Sequence, residues 1–117
     1  MIPAMQSALS GLSAYSAKIG ANANNIANAG TEGFKKSRIL LASAAPYGVE
    51  VQRERVETPG PLSYEQSSNG MELIEQSNVD LAEELPAMSL NANFYKANLK
   101  TIQVADEMLG TLLKTKA

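Results

Sequence analysis

The stretch MQSALSGLSAYSAKIGANANNIANAG, residues 5–30, decides how this chain folds. Met5, Leu9, Leu12, Ser16, Ile19, Ala23 and Ile26 follow one another at alternating spacings of four and three, which puts them along one side of a helix. Such a stripe asks for a partner helix, because an isolated helix in water gains little from its own hydrogen bonds. The spacing predicts a helix over residues 4–28. Ser7 is a candidate N-cap, Pro3 permits an earlier start, and Gly30 or Gly33 can close the far end.

The partner stands in the last third. Leu85, Met88, Ala92, Tyr95, Leu99, Ile102, Asp106, Leu109 and Leu113 repeat the same spacing, with Asp106 the one residue out of character. Asp80 and Glu83 resemble a cap, and early acids with late bases (Lys96, Lys100, Lys114, Lys116) complement the helix dipole. Pro86 disagrees with a start at Leu81: either the helix kinks there or it begins near Leu85.

Between the two stripes the pattern changes. GVEVQRERVE, residues 48–57, alternates well enough for one short strand, TPGP (58–61) punctuates it, and SYEQSSNG (63–70) is polar and turn-rich. The expected fold is therefore mainly α: two long heptad-patterned terminal helices forming a coiled-coil hairpin, joined by a short extended insert with a possible β element. The segments are residues 1–34, 35–78 and 79–117, in one structural unit.

Composition removes whole classes of function. The chain has no His and no Cys, so the commonest general base and metal ligand and any thiolate chemistry are absent. The paired acids Glu83/Glu84 and Asp106/Glu107 point in different directions on a helix and share no site. No enzyme activity, cofactor or metal is expected. Ten bases against twelve acids, a charge of -2, leave no electrostatic footprint for nucleic acid. Four Tyr, two Phe and no Trp place the weight of any core on aliphatic residues. The first 18 residues have no base before Lys18 and no continuous apolar run, so they read as neither a signal peptide nor a membrane span.

Asn22, Asn24, Asn25 and Asn28 remain to be explained, since Asn prefers caps and turns to helix interiors. Singly, each reads as solvated surface. Together they offer donors and acceptors through which a helix can pack against several neighbours with its polar groups satisfied, and the small Ala21, Ala23, Ala27 and Ala29 allow close approach. The expectation is that Asn22, Asn25 and Asn28 hydrogen-bond neighbouring subunits.

Two segments resemble the axial proteins of the bacterial flagellum. In Ala8–Arg38, the run Asn24, Asn25, Ile26, Ala27, Asn28, Ala29 followed by Thr31, Gly33 and Phe34 is similar to the amino-terminal rod signature, with Glu32 where the family has Pro. In Ser77–Leu113, Asn78, Val79, Asp80, Glu83, Glu84, Tyr95, Ala97 and Asn98 resemble the carboxy-terminal signature. The resemblance implies a non-enzymatic rod subunit of the small proximal type, since hook and distal-rod members carry large β domains between the signatures. It further implies partners among other rod proteins and copies of the chain itself, passage through the flagellar export apparatus without a cleaved signal peptide, and a place in the periplasmic rod. The assembly interface expected from stripe and resemblance comprises Leu9, Leu12, Ile19, Asn22, Asn25, Ile26, Asn28 and Phe34 in the first half. In the second half it comprises Leu85, Met88, Tyr95, Asn98, Leu99, Ile102, Leu109 and Leu113. The competing reading of the same stripes is a soluble coiled-coil adaptor or secretion chaperone that forms a closed complex with one partner.

Overall fold

The computed structural model describes residues 1–116. Helix α1 spans Ile2–Ala27 and helix α2 spans Leu81–Lys116, and the two pack along each other. Between them lie four strands, β1 (Ser37–Ser43), β2 (Val49–Arg55), β3 (Leu62–Ser67) and β4 (Gly70–Glu75). The strands form two antiparallel two-stranded sheets, β1–β2 and β3–β4. The expectation of a mainly helical hairpin with a short insert is thus corrected: strands make up 22% of the chain, and one β-hairpin packs on α1 as a second layer.

Each local departure has a physical cause. The segment SRILLAS pairs with VEVQRER over its whole length, from Ser37 opposite Arg55 to Ser43 opposite Val49, although its contiguous apolar run shows no alternation. SYEQSSNG is a strand and its turn, with Gly70 taking φ of +117°, a conformation that favours glycine. Helix α2 begins at Leu81 and runs through Pro86. Asp80 caps it: its carboxylate accepts the Ala82 N–H at 2.9 Å. The carbonyl of Ala82, left without an N–H by Pro86, belongs to an exposed residue and can be solvated.

The seam between the helices is also rotated from the expected one. On α2 the buried or half-buried residues Glu84, Met88, Asn91, Tyr95, Asn98, Ile102, Ala105 and Leu109 form an unbroken heptad, flanked by the half-buried Ala87, Ala92 and Gly110. Met88, Tyr95, Ile102 and Leu109 belong to the expected stripe. Leu85, Leu99, Asp106 and Leu113 are exposed, each one position or more off the seam. On α1 the fully buried positions are Ala8, Ala14, Ala21 and Asn25. Leu12, Ile19 and Ile26 are half-buried, whereas Leu9 is 60% exposed.

Small residues win the seam because α1 is covered twice, by α2 and by β1–β2. At Gly11 a Cβ would lie 2.6 Å from the Asn98 Oδ1, so any larger residue there requires the Asn98 side chain to shift. Gly48, with φ of +107°, lies against Ser10, whose hydroxyl accepts the Val49 N–H at 3.2 Å and ties the tip of the first hairpin to α1.

The molecule is rod-shaped, 80 × 24 × 19 Å. Among the described residues, no helix is long and apolar enough to cross a membrane.

Candidate assembly interface and the polar clasps that shape it

Asn25 is 1% exposed and its amide pairs with the backbone of β1 as another strand would. Its Oδ1 accepts the Ser37 N–H at 3.0 Å, and its Nδ2 donates to the Ser37 carbonyl at 2.8 Å. The same Nδ2 donates to Glu84 Oε1 at 3.2 Å, while Asn22 Nδ2 donates to Glu84 Oε2 at 2.7 Å. Asn91 completes the chain by donating to Asn22 Oδ1 at 2.8 Å. One buried carboxylate, 8% exposed, is thereby held by two amides, and α1, α2 and β1 meet at one point. Every buried side-chain polar atom among the described residues has a partner.

This arrangement accounts for asparagine in the helix interior. The amides of Asn22 and Asn25, expected to reach neighbouring subunits, are taken up inside the chain. Ala cannot bridge, and Asp would place a second carboxylate against Glu84. Asn28 acts at the helix end, where it is the C-cap: its Nδ2 donates to the Asn24 carbonyl at 2.9 Å and its Oδ1 accepts the Thr31 hydroxyl at 3.2 Å. Asn24 is exposed.

A second clasp gathers the strand connections. Asn78 Oδ1 accepts the Lys36 N–H at 2.6 Å, and its Nδ2 donates to the carbonyls of Val56 and Thr58 at 2.8 and 2.9 Å. Its own N–H donates to the Phe34 carbonyl at 3.2 Å, which places the half-buried Phe34 at this junction. Gly60, in TPGP, passes so close to Gln76 that a Cβ would run into the Gln76 carbonyl. Periodicity carries no signal for Asn78 or Glu84, because each acts through a single side chain on a non-repeating partner.

Glu75 closes the base of β3–β4. Its carboxylate pairs with the Lys35 ammonium and accepts the Gly60 N–H at 2.9 Å. The Lys35 hydrogen bond, then that of Gly60, hold the Glu75 carboxyl below its ordinary range. A depressed folded-state pKa means stability present above the unfolded value and lost as pH falls through the folded one. The hairpin base should therefore loosen only in acid below the ordinary glutamate range. Carboxyl NMR titration is expected to show a low Glu75 midpoint that returns toward the ordinary value in Lys35→Met; an unchanged midpoint in that variant would remove the ion pair as its cause.

The surfaces left over are apolar. Leu9, Leu85, Leu99 and Leu113 of the expected interface are exposed, as are Leu90, Phe94, Val104, Met108 and Leu112, which were not expected there. Leu90, Phe94, Ala97, Thr101, Val104, Met108 and Thr111 make a second heptad on α2, exposed throughout, with Leu112 beside its end. Phe94 touches α1 only at its edge of the stripe, stacking on Tyr15 with ring centroids 5.1 Å apart. Helix α2 thus has one heptad face packed on α1 and a second face left open to solvent.

Comparison with known proteins agrees with that geometry. A family model described as "Flagella basal body rod protein" matches residues 5–35, covering α1 and the clasp asparagines. A second, "Flagellar basal body rod FlgEFG protein C-terminal", matches residues 69–115, covering β4 and nearly all of α2. A search of curated proteins found no match. With both matches in chain order and falling on the two packed helices, the chain belongs to the flagellar basal-body rod protein family and is a structural component of the basal body.

Proposed function

We propose that the chain is a self-assembling rod subunit of the small proximal type, whose helices join those of copies and of other rod proteins into a helical tube that transmits torque. Delivery by the flagellar export apparatus and a periplasmic position belong to the same reading. The observation that carries it is the second heptad on α2, whose residues all remain partly open to solvent although Phe94 stacks on Tyr15 at its edge. Apolar side chains repeated over the length of a helix gain nothing in water and are satisfied by further helices. The proximal type is supported by the brevity of residues 36–68, which separate the two family matches and hold only short strands.

The expected interface residues that remain exposed, Leu9, Leu85, Leu99 and Leu113, join this stripe as assembly contacts. Val104 tests the reading because it is 40% exposed on the open stripe and away from the intramolecular seam. Val104→Asp should leave the thermal midpoint of the monomer nearly unchanged. Its self-association, followed by sedimentation at rising concentration, should weaken by a factor of about 100 or more, since burying an uncompensated charge costs about 3 kcal/mol or above. Association equal to the parent's would remove the stripe from the proposal. A parent that saturates as a small closed complex with one partner, without growing further, would favour the adaptor reading instead.

A further inference from the structure

The open stripe of α2 can be buried without stranding a polar group. None of its residues is charged. The Thr101 hydroxyl donates to the Ala97 carbonyl at 3.1 Å, and the Thr111 hydroxyl to the Glu107 carbonyl at 2.9 Å. A second helix laid on the stripe therefore leaves no hydroxyl unsatisfied.

Charge stands at the edge. Lys100 and Glu107, both exposed, precede Thr101 and Met108 by one position and so line the side of the stripe that faces away from α1. The Lys100 ammonium donates to the neutral Gln103 at 3.2 Å, and the Glu107 carboxylate accepts from the same residue at 3.0 Å. Among the described residues neither has an ion-pair partner.

The order of sizes along the stripe fits its own reverse. In an antiparallel helix pair, a two-fold axis that sets Thr101 of one copy opposite Val104 of the other also sets Ala97 opposite Met108 and Phe94 opposite Thr111. The central layer then joins side chains of equal size, and the outer layers join a large one to a small one, as close packing requires. The same placement brings Lys100 of each copy beside Glu107 of the other. Sliding by one heptad one way puts Lys100 against Lys100 and Phe94 against Val104. Sliding the other way puts Glu107 against Glu107, Lys100 against Lys114 and Met108 against Val104. A parallel pair stacks Phe94 on Phe94 and Ala97 on Ala97, crowded in one layer and empty in the next. Size and charge are independent features, and they select the same register.

From this we infer that two copies pair antiparallel through the open stripes of α2, about a two-fold axis between Thr101 and Val104, with Lys100 of each beside Glu107 of the other. The inference rests on the reading of this stripe as an assembly surface and names what covers it in the free chain. An isologous contact closes on itself. The pair therefore holds the stripe covered and competes with growth of the tube, so that a subunit joining the tube exchanges the helix of its twin for others. Leu85, Leu99 and Leu113 lie on another face of α2 and stay open in the pair.

The chain has no cysteine, so introduced ones report the register. Ala97→Cys and Met108→Cys variants, mixed and oxidised mildly, should form a disulfide between unlike copies, whereas each alone should stay reduced. Lys100→Glu should weaken pairing about tenfold in sedimentation equilibrium, with the far-UV spectrum unchanged, and Lys100→Glu/Glu107→Lys in the same chain should restore it. Disulfides formed by each cysteine variant alone mean a parallel pair and overturn the contact. Parent-like association of Lys100→Glu with no mixed disulfide overturns it as well, and in both cases self-assembly stands. A parent whose cysteine variants give the mixed disulfide but which stops at pairs supports the contact and removes the tube. A parent that stays monomeric at every concentration overturns both.

Discussion

Replacing Asn25 by Ala is expected to destabilise the isolated chain by about 3–5 kcal/mol, the largest single-site effect in the molecule. The side chain is 1% exposed, and its removal leaves the Ser37 N–H and carbonyl without partners and takes one of two amide donors from Glu84. Each buried group left unsatisfied costs roughly 1–3 kcal/mol, and more where it is charged. The gain in helix propensity from Ala is a few tenths of a kcal/mol and does not offset this. Asn24→Ala, one residue earlier and exposed, should stay within about 0.5 kcal/mol of the parent. Urea unfolding of the two variants decides the matter: equal midpoints would mean that the clasp contributes nothing.

The second large effect concerns Ala14, which is 0% exposed on α1. Ala14→Leu should destabilise by about 2–3 kcal/mol, because added methylenes in a close-packed seam force backbone shifts. Leu9→Ala should do little to the same monomer, since Leu9 already lies in water. Its effect should appear on assembly. Thermal unfolding and sedimentation, run on both variants, separate the roles. A stable Ala14→Leu chain would show that α1 and its neighbours do not approach as closely as Ala14 and Gly11 require.

These two positions show why the helical stripe was only half legible. Periodicity located both helices and their antiparallel pairing, and Met88, Tyr95, Ile102 and Leu109 do lie on the seam. Large apolar side chains alone point to Leu85, which is exposed, instead of the buried Glu84 one residue before it, and to Leu99, which is exposed, beside Asn98, the interface residue that does lie on the seam. Hydrophobicity ranks side chains by their transfer from water, whereas a seam under close approach selects by size and by hydrogen bonding. Leu9, Leu85 and Leu99 point outward, where further subunits are proposed to cover them.

The strands divide in the same way. The alternation in VEVQRER was sufficient to identify β2. Strand β1 has no period of its own, and its pairing is decided by contacts far away in sequence: Asn25 with Ser37 and Ser10 with Val49. In β3–β4 the polar SYEQSSNG stretch concealed a strand whose apolar partners, Met71 and Leu73, lie across the turn.

What the sequence by itself determined is the local order: two long helices with an acidic start and basic end on α2, the Asp80 cap, turns at the glycines, and the absence of His and Cys chemistry. These depend on residues within a few positions of one another and are written in spacing and composition. Only the tertiary structure decided which heptad on α2 is used and which stays open, and that Glu84 lies buried between two asparagines. The reason is that burial and hydrogen-bond pairing are relations between groups as many as 69 residues apart, as for Asn22 and Asn91, and no window along the chain contains both.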